Sequence, residues 1–172
     1  RYRLGFNISN IGPKLSYTPG QEDFIPTNLK LGGGFDFILD DYNTISTTVE
    51  FTKLLVPTPQ PDGSEQDLGW VEGMFSSFGD APGGFSEEMK EFTYALGGEY
   101  LYNNAFAVRG GYFHESQDKG NRQYFTIGGG FKTNALNIDL SYLVNSSDVN
   151  NPLENSLRFS LSFDLGEVYD DY

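Results

Sequence analysis

The sequence predicts an all-β protein, an antiparallel transmembrane β-barrel, on three observations. Several stretches alternate apolar and polar residues almost without error, the last being Ser156-Leu157-Arg158-Phe159-Ser160-Leu161-Ser162-Phe163. That is the pattern of a strand whose two faces meet different surroundings. The same dyad at 135–144 sets Leu136, Ile138, Leu140 and Tyr142 against Asn137, Asp139 and Ser141, a polar face too polar for a packed interior. Finally, no run approaches the roughly 20 apolar residues of a membrane-spanning helix, which leaves a closed barrel as the structure that satisfies its backbone in lipid.

About nine strands are expected, near 2–9, 13–18, 27–39, 44–56, 91–102, 105–115, 122–132, 135–145 and 155–165, most of them close to the ~9–11 residues of a tilted barrel strand. Asp40-Asp41-Tyr42-Asn43, Asn103-Asn104 and Thr133-Asn134 are tight turns, whereas 19–26, 57–90, 116–121 and 146–154 are longer and more polar. Short turns at one rim and long loops at the other are the pattern of outer-membrane barrels. With the last strand ending in the periplasm, the tight turns face inward and the long loops outward. The strand at 2–9 then runs inward, and an odd number of strands is expected before it. An open edge would leave unpaired backbone groups in lipid, so the remaining strands are expected in a longer chain.

Composition narrows the function classes. Aromatics at 16% with 21 glycines suit strands flanked by aromatic girdles and joined by tight turns, and a mean hydropathy of -0.41 does not argue against a barrel. The absence of cysteine excludes disulfides and thiolate metal sites. A net charge of -13 argues against nucleic acid, whose phosphates require a basic surface. Much of the acid lies in expected loops (Asp62, Glu65, Asp67, Glu72, Asp80, Glu87, Glu88) and in the tail (Glu167, Asp170, Asp171), where solvation accounts for it.

No catalytic constellation is present. The single His114 beside Glu115 reads as a solvated polar residue, and there is no nucleophile elbow, zinc-protease motif or phosphate loop. The expectation is a protein that is not an enzyme and needs no cofactor or metal.

Two sets of residues stand out instead. Pro57, Pro59 and Pro61 with Asp62-Gly63 open a long outer loop in which 68–78 suits a short amphipathic helix and 86–90 a helical turn capped at Ser86. Trp70, Met74, Phe75 and Phe78 recur at spacings that line one side of a helix, and Phe85 follows. A loop with this many large apolar groups either packs over the barrel mouth or binds a partner. The second set lies on the polar face, where Gly32, Gly34, Gly97, Gly111, Gly128 and Gly130 leave room beside Lys30, Asp36, Glu50, Glu99, Arg109, Asp139 and Arg158. Counting from the turns puts Arg109 level with Gly128 and Gly128 level with Asp139. This predicts a lumenal cluster of Arg109, Asp139 and Arg158 that stiffens the wall.

Several segments together resemble the PorV (LptO) family of type IX secretion system outer-membrane proteins, within the FadL-like barrels. They are Gly5-Phe6-Asn7-Ile8-Ser9-Asn10-Ile11-Gly12 with Lys14-Leu15-Ser16-Tyr17, then Phe24-Ile25-Pro26-Thr27-Asn28-Leu29 and Lys53-Leu54-Leu55-Val56-Pro57-Thr58. Asp80-Ala81-Pro82-Gly83-Gly84-Phe85 before Glu87-Glu88 and the closing 157–163 complete the set. The resemblance implies a barrel of roughly fourteen strands, of which residues 1–172 are the C-terminal portion as one domain with a long extracellular loop at 57–90. It implies location in the outer membrane of a Gram-negative bacterium. It also implies a shuttle that docks at the large translocon barrel, receives cargo by its C-terminal signal domain and delivers it to the surface sortase or attachment complex. Trp70, Met74, Phe75, Phe78 and Phe85 are the residues placed to make those contacts.

Two other readings compete. A FadL-like transporter of long-chain hydrophobic molecules would use the loop's apolar residues as a ligand groove, though a face carrying Asn137, Asp139 and Ser141 suits such a passage poorly. A soluble up-and-down barrel would turn Leu157, Phe159, Leu161 and Phe163 inward.

Overall fold

The structure, a computed structural model, describes residues 1–60, 68–149 and 154–164. Asp62, Gly63, Glu65, Asp67 and the acidic tail named above lie outside the described residues. Eight strands form one antiparallel sheet: β1 (Tyr2–Ser9), β4 (Asn28–Ile38), β5 (Asn43–Leu54), β6 (Phe92–Tyr102), β7 (Phe106–His114), β8 (Gln123–Lys132), β9 (Leu136–Asn145) and β10 (Leu157–Phe163). A separate pair, β2 (Leu15–Thr18) and β3 (Gln21–Asp23), lies between β1 and β4 in the chain. The all-β antiparallel expectation is met. Among the described residues β1 pairs only with β4 and β10 only with β9, so each leaves one edge unpaired. No helix there is long and apolar enough to cross a membrane.

The register assigns the two faces. Asp36 lies opposite Ser46, Ser46 opposite Glu99, Glu99 opposite Arg109, Arg109 opposite Gly128, Gly128 opposite Ser141, and Ser141 opposite Arg158. Directly opposed residues share a face, so one continuous polar line crosses the sheet. This face encloses a concavity of about 1050 Å³. One residue along each strand, Ile45, Tyr100, Val108, Gly129, Leu140 and Phe159 form the matching apolar line. Buried hydrophobics among the described residues amount to Leu55, Ala81, Ala107 and Leu143, while Leu157, Phe159, Leu161 and Phe163 are exposed on the side away from the concavity. The soluble-barrel reading needs those four on the concave side, and they lie on the other.

The expected strand at 13–18 is corrected. Pro13 has no N–H to donate, only Leu15–Thr18 becomes extended, and Gly20 at φ +86° turns the chain back so that Leu15 faces Asp23. A four-residue strand is too short to cross a barrel wall, and β1 pairs past it with β4, Gly5 opposite Gly32. Eight strands in the sheet, not about nine, reverse the direction of β1 relative to the last strand. The argument that an odd number of strands precedes it falls with that change.

With this correction the connections alternate throughout. Asp40 closes the first tight turn by accepting from the backbone N–H of Tyr42 at 2.8 Å and Asn43 at 2.7 Å. Asn103 and Asn104 take left-handed φ values of 51° and 50° in the three-residue connection that sets Tyr102 opposite Phe106, and the Ala105 N–H donates to the Tyr102 carbonyl at 3.0 Å. Thr133 Oγ1 accepts from the Leu136 N–H at 3.0 Å in the third. These turns share one rim, and the connections 10–27, 55–91, 115–122 and 146–156 share the other.

Candidate functional site

The connection between β5 and β6 carries two short helices, α1 (Trp70–Ser76) and α2 (Phe85–Lys90). Helix α1 lies inside the expected 68–78, α2 begins one residue ahead of the expected 86–90, and the cap differs: Gly84 at φ +68° occupies the N-cap of α2 with no side-chain bond, and Ser86 sits within the helix. Glu87 takes over part of that role by accepting from the Gly83 N–H at 2.7 Å.

Helix α1 docks through its small residues. Gly73 and Ser77, one turn apart, are buried, and a Cβ on Gly73 would lie 2.6 Å from Phe24 Cε1 and 3.0 Å from Pro57 Cγ. The approach to Phe24 joins this connection to the one between β1 and β4, so two outer loops brace each other. The large residues point elsewhere. Phe75 is 74% and Phe85 80% exposed, with Val71, Phe78 and Met89 about half exposed, Trp70 slightly less, and Met74 partly covered. Both uses that the sequence left open are met in part: Gly73 and Ser77 are buried and the Phe78 ring lies over Lys53, while Phe75 and Phe85 are left outward.

Beneath the helices lies a charged anchor that sequence reasoning missed. The Lys53 side chain, 1% exposed, donates to Glu88 Oε2 at 3.2 Å and Glu91 Oε2 at 2.7 Å. Glu91 Oε1 accepts from Lys119 at 3.0 Å and lies 2.8 Å from the Thr58 hydroxyl. That hydroxyl is also 2.9 Å from Asp80 Oδ1 and donates to one of the two at a time. Lys119 further binds Glu87 at 2.9 Å. Glu88 Oε1 accepts from the Ala81 N–H at 2.7 Å, and Asp80 Oδ2 from the Thr58 N–H at 3.1 Å. The rings of Phe92 and Phe78 lie 5.4 and 5.9 Å from the Lys53 ammonium.

Burial by itself would push the Glu91 carboxyl up, but hydrogen bonds from Lys53, Thr58 and Lys119 outweigh it and hold the group below its ordinary value. The bond from Lys119 chiefly does the same for Glu87, and the bond from Arg122 for Glu115. For Lys119, burial pulls downward, and the bonds to Glu87 and Glu91 raise it overall. A signal was available in the sequence. Lys53 occupies an apolar position of its strand, in register with Phe51 and Val49, and Glu87, Glu88 and Glu91 follow the loop.

On the polar face the structure brings Arg109 and Asp139 together as an ion pair, and Arg109 Nε also donates to Glu99 Oε2 at 2.5 Å. Arg158 is not part of this cluster. It lies opposite Ser141 while Ser160 lies opposite Asp139, and it makes no ion pair among the described residues. The third member is Glu99, directly across from Arg109 on β6. Gly130 permits the bridge across β8, since a Cβ there would lie 2.6 Å from Asp139 Oδ1 and 3.0 Å from Arg109 Nη1. Lys30 pairs with Glu50 at 3.1 Å and Arg3 with Asp36 at 2.8 Å on the same face.

His114 stacks on Tyr94 at 4.7 Å between ring centres, with the Tyr112 hydroxyl 3.3 Å from Nδ1. It belongs to an aromatic row on the apolar face. Among the described residues no group of three or more His, Asp or Glu is arranged to hold a metal ion.

An antiparallel meander with an apolar outer face, a charged and glycine-spaced inner face, and connections that alternate short and long is the architecture of proteins that cross membranes with strands. Residues 1–61 match the family described as type IX secretion system protein PorV. The match covers about a third of the chain and supports its reading as a type IX secretion system protein of the PorV family. No curated protein matches the chain.

Proposed function

We propose that the chain is an outer-membrane shuttle of the type IX secretion system that acts by binding rather than by catalysis. It docks at the large translocon barrel, holds secreted cargo by its C-terminal signal domain and passes it to the surface attachment complex. The observation that carries the docking step is the α1–α2 surface. The helix is seated by Gly73 and Ser77, while Phe75 and Phe85 are more than two-thirds exposed at the long-loop rim. Aromatic anchors dominate protein interfaces, and an apolar cluster left in water signals a partner.

Replacing Trp70 and Phe75 together by alanine tests this. The variant is expected to remain a heat-modifiable, membrane-inserted protein and to recover much less translocon or cargo in pull-downs. Unchanged recovery would remove the site.

The transporter reading has one observation in its favour. A cavity of about 530 Å³ at the long-loop rim includes Leu54, Val56, Pro57 and Pro59 in its lining. The same cavity also meets Lys30, Glu91, Glu115 and Arg122, and the face below carries Glu99, Arg109 and Asp139. An acyl chain passing there would strip water from charges and offer nothing in exchange, so the shuttle is the better reading.

A further inference from the structure

We propose that Lys53 is a positioning residue for partner docking, the buried pin that fixes the α1–α2 surface to the strand wall through Glu88 and Glu91. The inference rests on the docking role assigned above to that surface.

The segment Lys53-Leu54-Leu55-Val56-Pro57-Thr58 leads out of β5, and its polar residues hold the loop from both sides. Lys53 points to the apolar face, opposite Leu29 on one neighbouring strand and Phe92 on the other. A lysine there with 1% exposure is tolerated only because carboxylates meet it, and these are Glu88 on α2 and Glu91 just after it. Thr58, five residues on, receives Asp80 and Glu91 from the far end of the same loop. Between these ties α1 rests on Pro57 and Phe24 through Gly73, with its aromatic side outward. The strand wall thereby sets the angle at which Phe75 and Phe85 meet a partner, although Lys53 is itself too buried to touch one.

The charges around the pin give it a signature that simple bulk would not have. Glu88 and Glu91 face Lys53 directly, Glu87 and Lys119 stand behind Glu91, and Asp80 adjoins through Thr58. Lys53→Met keeps the aliphatic stem and removes the charge, which strands two carboxylates in a site with Lys119 as the remaining cation. Burial by itself pushes the Glu91 carboxyl up, so without Lys53 the defect should lessen as that group takes up a proton. Neutralising both carboxylates by Glu88→Gln and Glu91→Gln should repair it at any pH.

The test uses the full chain purified in detergent, with heat-modifiability as the check on assembly. Amide exchange over 77–91 and capture of the translocon from solubilised outer membranes are the two readouts. Lys53→Met is expected to raise exchange there by ~10–100-fold at pH 8, and less at pH 5, and to lower capture. Adding Glu88→Gln and Glu91→Gln should restore both. Unchanged exchange in Lys53→Met would overturn the pin. Raised exchange with undiminished capture, while the Trp70 and Phe75 double variant does lose capture, would overturn the positioning role and leave the docking surface standing. If that double variant also captures normally, the docking role itself fails and takes this inference with it.

Discussion

The molecule holds two ion clusters built from the same chemistry in opposite surroundings. Glu99, Arg109 and Asp139 bridge three strands on the concave face with side chains 30%, 44% and 32% exposed, whereas Lys53, Glu88 and Glu91 tie a loop to the wall at 1%, 8% and 12%. Water competes for the first cluster and not for the second. An exposed pair gains little because solvent and salt screen it, while a buried pair penalises the loss of either member by leaving a stranded charge. The wall cluster therefore adjusts a surface, and the loop cluster decides where a segment sits.

The largest effect expected from this contrast is at Glu91, whose carboxylate joins Lys53, Thr58 and Lys119. Glu91→Ala should raise the population of the open loop by about 3 kcal/mol, read as cleavage after Lys90 by trypsin, and 1 M salt should change the difference little. Its pH dependence has a definite sign. The Glu91 and Glu87 carboxyls are held below their ordinary values in the fold, so their contribution is complete above the ordinary carboxylate range and lost as pH falls through the lowered values. Lys119, raised in the fold, contributes throughout neutral pH and releases only in strong alkali. Trp70, the sole tryptophan, reports on α1. Its emission should stay constant from pH 8 to pH 5 and shift only in stronger acid. A shift near neutrality would mean another group governs the loop.

Next in size is a test of which face meets lipid, on which the contrast between wet and dry clusters depends. Leu161 lies on the apolar face opposite Ile138, and Ser160 on the polar face opposite Asp139. Leu161→Arg should cost ~2–4 kcal/mol and block assembly scored by heat-modifiability, and Ser160→Arg much less. Equal tolerance of the two would mean that neither face lies in lipid.

Much of the wall was legible because a dyad repeat survives small errors of alignment, and the two clusters show where legibility stopped. A two-residue turn at 133–134 puts Asp139 opposite Gly128, but the chain closes with Thr133 bonding Leu136, and Lys132 faces Asn137. The register moves by two, Gly130 becomes the partner of Asp139, and every side chain keeps its face. Arg109 still reaches Asp139 because its side chain is long, while Arg158, counted into the cluster, is one pair too far along. The loop anchor was not legible from alternation at all, since it joins residues 35 and 38 positions apart. Nor did the sequence distinguish 13–18 from a wall strand, because four alternating residues look alike in a hairpin and in a barrel.

Glycines on the concave face sharpen the comparison at an intermediate scale. A Cβ on Gly128 would lie 2.9 Å from the Leu140 carbonyl oxygen, a backbone atom of the neighbouring strand, whereas at Gly130 the obstacles are the ends of Asp139 and Arg109. Backbone cannot move aside without loosening the ladder, and side chains in a wet cavity can. Gly128→Ala should therefore cost ~1–3 kcal/mol by thermal unfolding in detergent, and Gly130→Ala less. The reverse order would show the ion bridge to be the stiffer of the two.

The smallest effect is expected from cutting that bridge itself. Arg109→Met leaves Glu99 and Asp139 without their cation, which in the loop anchor would strand buried charge. Here both carboxylates are about a third exposed to a concavity of some 1050 Å³, so water replaces the guanidinium bonds it displaces. The cost should be ~1 kcal/mol or less. Because the gain it removes is screened, raising salt to 1 M should bring the wild-type melting temperature down towards that of the variant, while the gap between wild type and Glu91→Ala stays open. If Arg109→Met instead costs as much as Glu91→Ala and the gap resists salt, the concave face is dry in the membrane. The two clusters would then differ in position and not in kind.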